Sequence, residues 1–279
     1  ADNSGTCSGI SWENPDQFDV SQKCIGSIVK VKGVMNDYNG VPQMRIFNIR
    51  QAREDDFNLF DTSDIVTTAP IDTNEYQQAL EKMIDEIADD DYRLVSQTIY
   101  SEIKEEFLNI PAGKTVHHSF RCGLLMHTVN MMKLSLMTAE LYHEIIDKDL
   151  LVAATFLHDI AKIQEFTLSE LDLVSDYSAE GQLLGHLYMG AAKVKEVCER
   201  LNVNEHKKLM LEHLILSHHG EPDKGAVVTP KCAEAEVLHI IDLLDSRLEI
   251  YAEEYEGLEV GQFSLKKNWA LDHRIYRNK

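Results

Sequence analysis

The residues of this chain best suited to chemistry are histidines and aspartates that interrupt apolar, helix-like segments. His127 has small or apolar residues three and four positions before it and four and seven positions after it. That spacing places it on the inward face of a helix. His158 and Asp159 lie near the end of the most apolar segment, residues 149–162. A buried aspartate is unfavourable unless it is paired or bound to a cation. Lys162 could pair with Asp159 at i,i+3, but that pairing gives no reason for the adjacent histidine.

The same combination recurs further along the chain. His186 follows a glycine, His218 and His219 are consecutive, and Asp242 and Asp245 share one face of another apolar helix. Five of the twelve histidines therefore lie in apolar helical surroundings. One shared polyvalent site explains them more simply than five separate accidents.

The donor types limit which ions such a site could bind. Imidazole and carboxylate without thiolate suit divalent transition metals. We expect manganese, with cobalt, iron, zinc or magnesium as alternatives. Five imidazoles and two carboxylates exceed the needs of one tetrahedral ion, whereas two ions sharing one carboxylate would use them all. A pair of ions can activate water and neutralise the oxygens of a phosphodiester.

The surrounding elements follow from periodicity. Residues 25–50 predict β structure with a hairpin turn at Asn39-Gly40. Residues 54–73 are acidic and polar and predict a linker. From residue 74 the apolar spacing near 3.6 predicts helices, over 75–89, 92–108, 119–142, 149–162, 182–201, 205–219 and 231–255. We therefore expect a mainly α protein, with a small β segment at 1–53 and an all-helical domain at 74–279.

Composition limits the class of protein. The chain has 279 residues, 44% of them apolar, and no apolar run long enough for a membrane span. We expect no membrane partner. Its five cysteines are widely spaced without a C-x-x-C pair, which favours a reducing cytoplasm. A homo-oligomer is compatible with these features.

Charge is unevenly distributed. The net charge of −20 argues against a general nucleic-acid coat protein. Residues 1–53, however, hold six Lys or Arg against five Asp or Glu, and six cations between Lys23 and Arg53 face one acid, Asp37. This basic segment could bind a polyanion. The alternative is solvated charge on a small sheet.

The order His127, His158-Asp159, Asp242 resembles the HD superfamily of metal-dependent phosphohydrolases, which has an all-α fold. Longer blocks resemble the YhaM-type 3′→5′ exoribonucleases, in which an OB-fold precedes the HD domain. These blocks are HHSFRCGLLMHT at 117–128, FLHDIAKI at 156–163, EGQLLGH at 180–186, ILSHHG at 215–220 and LHIIDLLD at 238–245. Residues 28–50 look like the later strands of that OB-fold, whose first strands have no counterpart in this chain.

The resemblance implies roles for individual positions. It assigns the core metal set to His127, His158, Asp159 and Asp242, and the further ligands of a two-metal site to His186, His218 and His219. Lys162 matches a lysine that contacts phosphate. Asp245 could be the metal ligand in place of Asp242, or it could support the ligands by hydrogen bonding without touching the metal. His117 and His118 could touch substrate or be loop residues.

The first functional hypothesis is a metal-dependent phosphodiesterase acting 3′→5′ on single-stranded RNA, and also on single-stranded DNA. Asp159 and Lys162 would carry the chemistry, and the β segment would guide the strand by stacking and backbone contacts. The candidates for strand contact are Lys30, Lys32, Tyr38, Arg45, Phe47 and Arg50, although each could be a plain sheet residue.

Two alternatives remain at this point. One is a nucleotidase or cyclic-nucleotide phosphodiesterase on the same scaffold. Comparing the turnover of mononucleotides with that of a short oligonucleotide would distinguish it from an exonuclease. The other is a non-catalytic module that binds nucleic acid or nucleotides. The complete set of candidate ligands weighs against that second alternative.

Overall fold

A computed structural model describes residues 8–11, 27–38, 41–60, 65–114, 118–169 and 171–279. Its N-terminal part is a three-stranded sheet of β1 (Ser8–Ile10), β2 (Val29–Tyr38) and β3 (Val41–Gln51), in the order β1-β3-β2. Strands β2 and β3 pair antiparallel, and β1 pairs parallel to β3. The predicted β structure is confirmed, while the predicted turn at Asn39-Gly40 lies outside the described residues.

A short 3₁₀ helix, Glu54–Leu59, follows the sheet and is joined to it by charge. Asp56 accepts hydrogen bonds from Lys30 at 2.7 Å and from Arg50 at 2.6 Å. Lys30 and Arg50 face each other across β2 and β3, so one carboxylate connects both strands to the helix. These two cations hold the pKa of Asp56 well below its usual range.

Most of the described chain after the sheet is helical, as the 3.6 spacing predicts. The helices are α1 (Thr73–Asp85), α2 (Asp90–Phe107), α3 (Gly123–Leu141), α4 (Lys148–Leu157), α5 (Lys162–Glu165), α6 (Ala179–Arg200), α7 (Glu205–Ser217) and α8 (Ala233–Glu256). Polar side chains cap the first backbone N–H groups of five of them, namely Asp72, Asp89, Asp147, Ser178 and Asn204. The fold is mainly α.

Helix α4 lies at the centre of this domain, where every residue from Leu150 to Leu157 is buried. It packs against α2, α3, α7 and α8. Phe156 contacts the rings of Tyr100 and Phe107 with centroids 6.0 and 5.7 Å apart. A helix surrounded on all sides needs no polar face, which explains its uniformly apolar sequence. Because the core fixes α4, it also fixes His158 and Asp159, the two residues that follow.

The segment predicted as a linker is structured at both ends. Its start is the 3₁₀ helix, and its end is bound to the helical domain. The N–H of Ala69 donates to the carbonyl of Arg121, whose own N–H donates to the carbonyl of Thr67. Ala69 also packs with Phe120 and Cys122. Contacts therefore hold the chain both where it leaves the sheet and where it enters α1.

Two features of the helical part were not predicted. A two-stranded hairpin, β4 (Phe166–Leu168) and β5 (Val174–Tyr177), separates α5 from α6. After α8 the chain folds back through bridges between Phe263 and Tyr276 and between Asn268 and His273. None of the helices among the described residues is both long and apolar enough to cross a membrane.

Candidate metal centre

The predicted ligands come from five different helices or helix ends. His127 lies in α3 and Asp242 in α8, whereas His158 with Asp159 and His218 with His219 directly follow α4 and α7. His186 lies in α6, just after Gly185, whose φ of +72° breaks the helix. Glycine tolerates this left-handed conformation. The kink redirects the chain where His186 joins the cluster.

Asp159 lies at the middle of this cluster. Its Oδ2 is 3.2 Å from Nε2 of His158 and 3.8 Å from Nε2 of His127. Its Oδ1 is 3.4 Å from Nε2 of His186 and 3.8 Å from Nε2 of His218. One carboxylate thus has two imidazoles beside each oxygen. That arrangement suits a carboxylate shared between two cations.

A backbone or carboxylate oxygen fixes the other nitrogen of each of these four rings. Nδ1 of His158 donates to the carbonyl of Thr155 at 2.7 Å, and Nδ1 of His218 donates to the carbonyl of Ile215 at 2.8 Å. A carbonyl can only accept, so Nδ1 carries the proton and Nε2 offers a lone pair to the cluster. This is the usual support of metal-binding histidines.

Carboxylates support the remaining two rings. Nδ1 of His127 lies 2.7 Å from Oδ2 of Asp245. Glu165 accepts from Nδ1 of His186 at 2.9 Å and from its backbone N–H at 3.0 Å. Glu165 was not among the predicted residues. The only signal for it in the sequence is a carboxylate close behind His158-Asp159, which spacing alone does not distinguish from a surface residue.

The residues present fit divalent metal. At this cluster, five buried side-chain atoms have no hydrogen-bond partner among the described residues: Nε2 of His158, His186 and His218, Nδ1 of His219 and Oδ1 of Asp159. Buried polar atoms are rarely left unpaired. Two of the groups of donors that could hold an ion lie in this cluster: His127 with His158 and Asp159, and His186 with His218 and His219. Within each group the donor atoms lie within 4.8 Å of one another. Cations at these two groups would satisfy the unpaired atoms.

Electrostatics support the same reading. Burial lowers the pKa of His218 and of His219, which favours the neutral imidazole that binds metal. Burial also lowers the pKa of His127, but hydrogen bonds to Asp242 and Asp245 outweigh it and raise that pKa to about 9. The two carboxylates that favour a proton on His127 would also favour a metal ion beside it.

The structure separates the two aspartates of α8. Oδ1 of Asp242 lies 3.4 Å from Nε2 of His127, the nitrogen that faces the cluster. Asp245 contacts the opposite nitrogen of the same ring and also lies 2.8 Å from Nε2 of His118. The group of His118, His127 and Asp245 is therefore joined by hydrogen bonds behind the cluster. This geometry favours Asp242 as ligand and Asp245 as support.

A cavity of about 380 Å³ opens onto the cluster. Its lining includes Asp159, Lys162, His186, His219 and Asp242 together with residues that were not predicted, among them Lys114, Tyr177, Lys224 and His239. Nζ of Lys162 lies 2.6 Å from Oδ2 of Asp159. The i,i+3 ion pair considered from sequence therefore exists beside the cluster. The cavity is at the smaller end of small-ligand sites, which span about 300–1,000 Å³.

The predicted substrate contacts are distributed differently. His118 is fully buried behind Asp245 and is not part of the cavity wall, and His117 lies outside the described residues. In the sheet, Lys30 is bound to Asp56. Lys32 and Arg45 are exposed, with the Arg45 guanidinium 5.5 Å from the centroid of Phe47.

The fold and donor set define a class: a helical, HD-type, metal-dependent phosphohydrolase. Residues 124–247 match the family model of the HD domain, and that match implies the use of divalent metal. No solved structure gives a significant match.

Curated relatives narrow the family. The chain is 34% identical to the 3′-5′ exoribonuclease YhaM of Bacillus licheniformis over 275 residues, which are 99% of this chain and 85% of that protein. It is 32% identical to the protein of the same name from Bacillus subtilis, with the same coverage. Against that of Listeria innocua it is 30% identical over 277 residues, 99% of this chain and 86% of that protein. The chain belongs to the YhaM family of 3′-5′ exoribonucleases.

Proposed function

We propose that this protein is a 3′→5′ exoribonuclease that uses two divalent metal ions. The observation that carries the proposal is the placement of Asp159, whose two oxygens face the Nε2 atoms of four imidazoles at the base of a cavity. The names of the relatives, 3′-5′ exoribonucleases, support RNA as substrate and the polarity of cleavage. Single-stranded DNA is a further substrate under this proposal.

The chain's own side chains have separable tasks. His127, His158, Asp159 and Asp242 would hold one ion, and His186, His218 and His219 with the shared Asp159 would hold the other. Manganese is the ion that we expect to serve best. When bound, such ions activate water and neutralise phosphodiester oxygens. The rest of the mechanism depends on protein groups that bind and orient the strand.

Lys162 is the protein cation best placed to act on the scissile phosphate. It lines the cavity, and its ammonium is fixed by Asp159 at 2.6 Å. Burial lowers the pKa of Lys162, but Asp159, followed by Asp242 and Glu165, outweighs it and raises that pKa, so the side chain keeps its charge. A fixed cation stabilises the additional negative charge of the phosphoryl transition state without reorganising.

The N-terminal sheet would guide the strand toward this cavity. Exposed Lys32, Arg45 and Phe47 offer the charge and the ring that single strands bind by backbone contact and stacking. The proposed domains are a nucleic-acid-binding segment like an OB-fold at 1–53, a linker at 54–73 and an HD-type catalytic domain at 74–279. The scattered cysteines support a cytoplasmic location.

The test uses three labelled single strands of RNA. A 5′-labelled strand with manganese should shorten one nucleotide at a time from its 3′ end. The same strand with a 3′-terminal phosphate or an inverted 3′ nucleotide should resist. A labelled mononucleotide released first from the 5′ end would contradict the polarity. Rapid turnover of free nucleotides with no shortening of RNA would favour the small-nucleotide alternative.

A further inference from the structure

Lys114 lines the same cavity as Lys162 and has no role in the proposed hydrolysis. The backbone just before it is held by contacts. The N–H of Ala112 donates to the carbonyl of His118, and Ile110 and Ala112 are both buried. Ala112, two residues before Lys114, is thus bound to His118, whose side chain lies behind the metal centre.

The ammonium of Lys114 reaches the β4–β5 hairpin. It lies 3.0 Å from Oδ1 of Asp176 and 5.5 Å from the centroid of Tyr177, which also lines the cavity. The hairpin is in turn tied to the metal centre, because the N–H of Ser178 donates to the carbonyl of Glu165. The ring of Tyr177 packs on that of Phe166 with centroids 5.4 Å apart. Lys114 and Tyr177 thus form one wall of the cavity.

The ion pair that holds Lys114 is easily exchanged. The side chain of Asp176 is 67% exposed and that of Lys114 is 34% exposed. Exposed ion pairs contribute little to stability, so a phosphate oxygen can replace Asp176 at small cost. Lysine is a good point-charge partner for phosphate. Lys162, in contrast, is held by the buried Asp159.

We propose that Lys114 is a specificity-determining residue: it binds the phosphate next to the scissile one, and Tyr177 contacts the nucleoside between them. The inference rests on the proposed exoribonuclease function. The feature of the substrate that this cavity wall recognises is a second negative charge on a continuous strand. Oligonucleotides have that charge, and simple phosphodiesters lack it.

The test compares Lys114→Met with wild-type protein on two substrates, a short RNA and bis(p-nitrophenyl) phosphate. Loss of one charge-assisted contact should lower kcat/KM for RNA about tenfold, mainly through KM. The ratio of kcat/KM for RNA to that for the chromogenic diester should fall by a similar factor. Lys114→Arg keeps the charge and should recover most of the loss. Lys82→Met, which removes an exposed lysine paired with Glu86, is the matched control.

Asp176→Asn separates substrate binding from a structural role. It breaks the same ion pair but keeps the cation, so RNA turnover should stay within about twofold of wild type. If Asp176→Asn loses as much as Lys114→Met, the ion pair is structural and the inference fails. An equal loss on both substrates in Lys114→Met would also overturn it, as would no loss at all.

A modified substrate locates the contact. RNA with one neutral methylphosphonate at the second linkage from the 3′ end should be a poor substrate for wild-type protein. For Lys114→Met, this substitution should lower kcat/KM no further than the loss already seen with unmodified RNA. Additive losses would overturn the assignment. If wild type shortens no RNA, the proposed function fails. If it does and Lys114→Met matches it, only this inference fails.

Discussion

The two oxygens of Asp159 have different partners: Oδ2 lies 2.6 Å from Nζ of Lys162, whereas Oδ1 is buried without a hydrogen bond among the described residues. A simple ion pair explains the first oxygen and leaves the second unexplained. A bridging carboxylate that also orients Lys162 explains both. The two models differ in how metal and stability respond to substitution.

Asp159→Asn should lose bound metal and nearly all activity, because the amide cannot replace a shared carboxylate. Lys162→Met should keep its metal and lose rate equivalent to about 2.7–4 kcal/mol of transition-state stabilisation. Without metal, Lys162→Met leaves Asp159 uncompensated and should destabilise the fold by about 3–5 kcal/mol. With metal bound, that loss should largely disappear.

Elemental analysis, melting temperature with and without manganese, and RNA turnover of both variants check this prediction. Unchanged metal content in Asp159→Asn would eliminate the bridging model. Equal destabilisation of Lys162→Met with and without metal would favour the plain ion pair.

Asp245 supports His127 from the side away from the cluster, so its replacement should weaken the site without destroying it. Asp245→Asn should lower metal affinity about 10–100-fold, as for other supporting partners of metal-binding histidines. Asp242→Asn should be more severe, because it removes a donor that faces the cluster. Metal titration of both variants measures the difference. Equal losses would contradict the separation of their roles.

Gly220 has a φ of +79°, and a Cβ on it would overlap the ring of His239. Nδ1 of His239 donates to the carbonyl of His218, so a displaced ring would disturb a predicted ligand. Gly220→Ala should therefore lower both the free energy of unfolding and metal affinity.

Gly261→Ala is the matched control, since Gly261 also has a positive φ, +85°, but has open space where a Cβ would lie, in the segment after α8. It should show only the conformational cost of a left-handed alanine, about 1–2 kcal/mol. Chemical denaturation of both variants checks the comparison. An equal cost for the two would show that the contact with His239 is unimportant.

The sheet offers cations of two kinds. Lys30 and Lys32 are both exposed on β2, but Lys30 is paired with Asp56. Lys32→Glu with Arg45→Glu should weaken binding of long RNA and flatten its dependence on salt, with a smaller effect on a short strand. Salt titrations of binding for two RNA lengths measure this. Equal loss for both lengths would point to a structural role for these cations.

Much of the site could be predicted from sequence because burial makes polar residues conspicuous. Asp159 and His158 stood out at the end of an apolar segment, and the structure brings them together with His127, His186 and His218. The positions of the helices could be predicted from the spacing of apolar residues, because the apolar face of each helix is the face that packs in the core. Asp242 and Asp245, in contrast, share one helix face, so only their three-dimensional neighbours separate them.

The features that could not be predicted depend on long-range contacts. Lys30 meets Asp56 across 26 residues, which turns a presumed strand contact into a support for the 3₁₀ helix. His118 adopts a φ of +53° and is buried behind Asp245, a placement that no periodicity indicates. The β4 and β5 strands have three and four residues, too few for a clear alternating pattern.

The most direct test of the central claim is the dependence of RNA shortening on divalent metal in one preparation. Protein stripped with chelator and dialysed should leave a 5′-labelled single strand intact. Added manganese should restore stepwise shortening from the 3′ end, calcium should restore it less well, and elemental analysis should show about two ions per chain. Full activity in the stripped, chelator-treated protein would contradict the account.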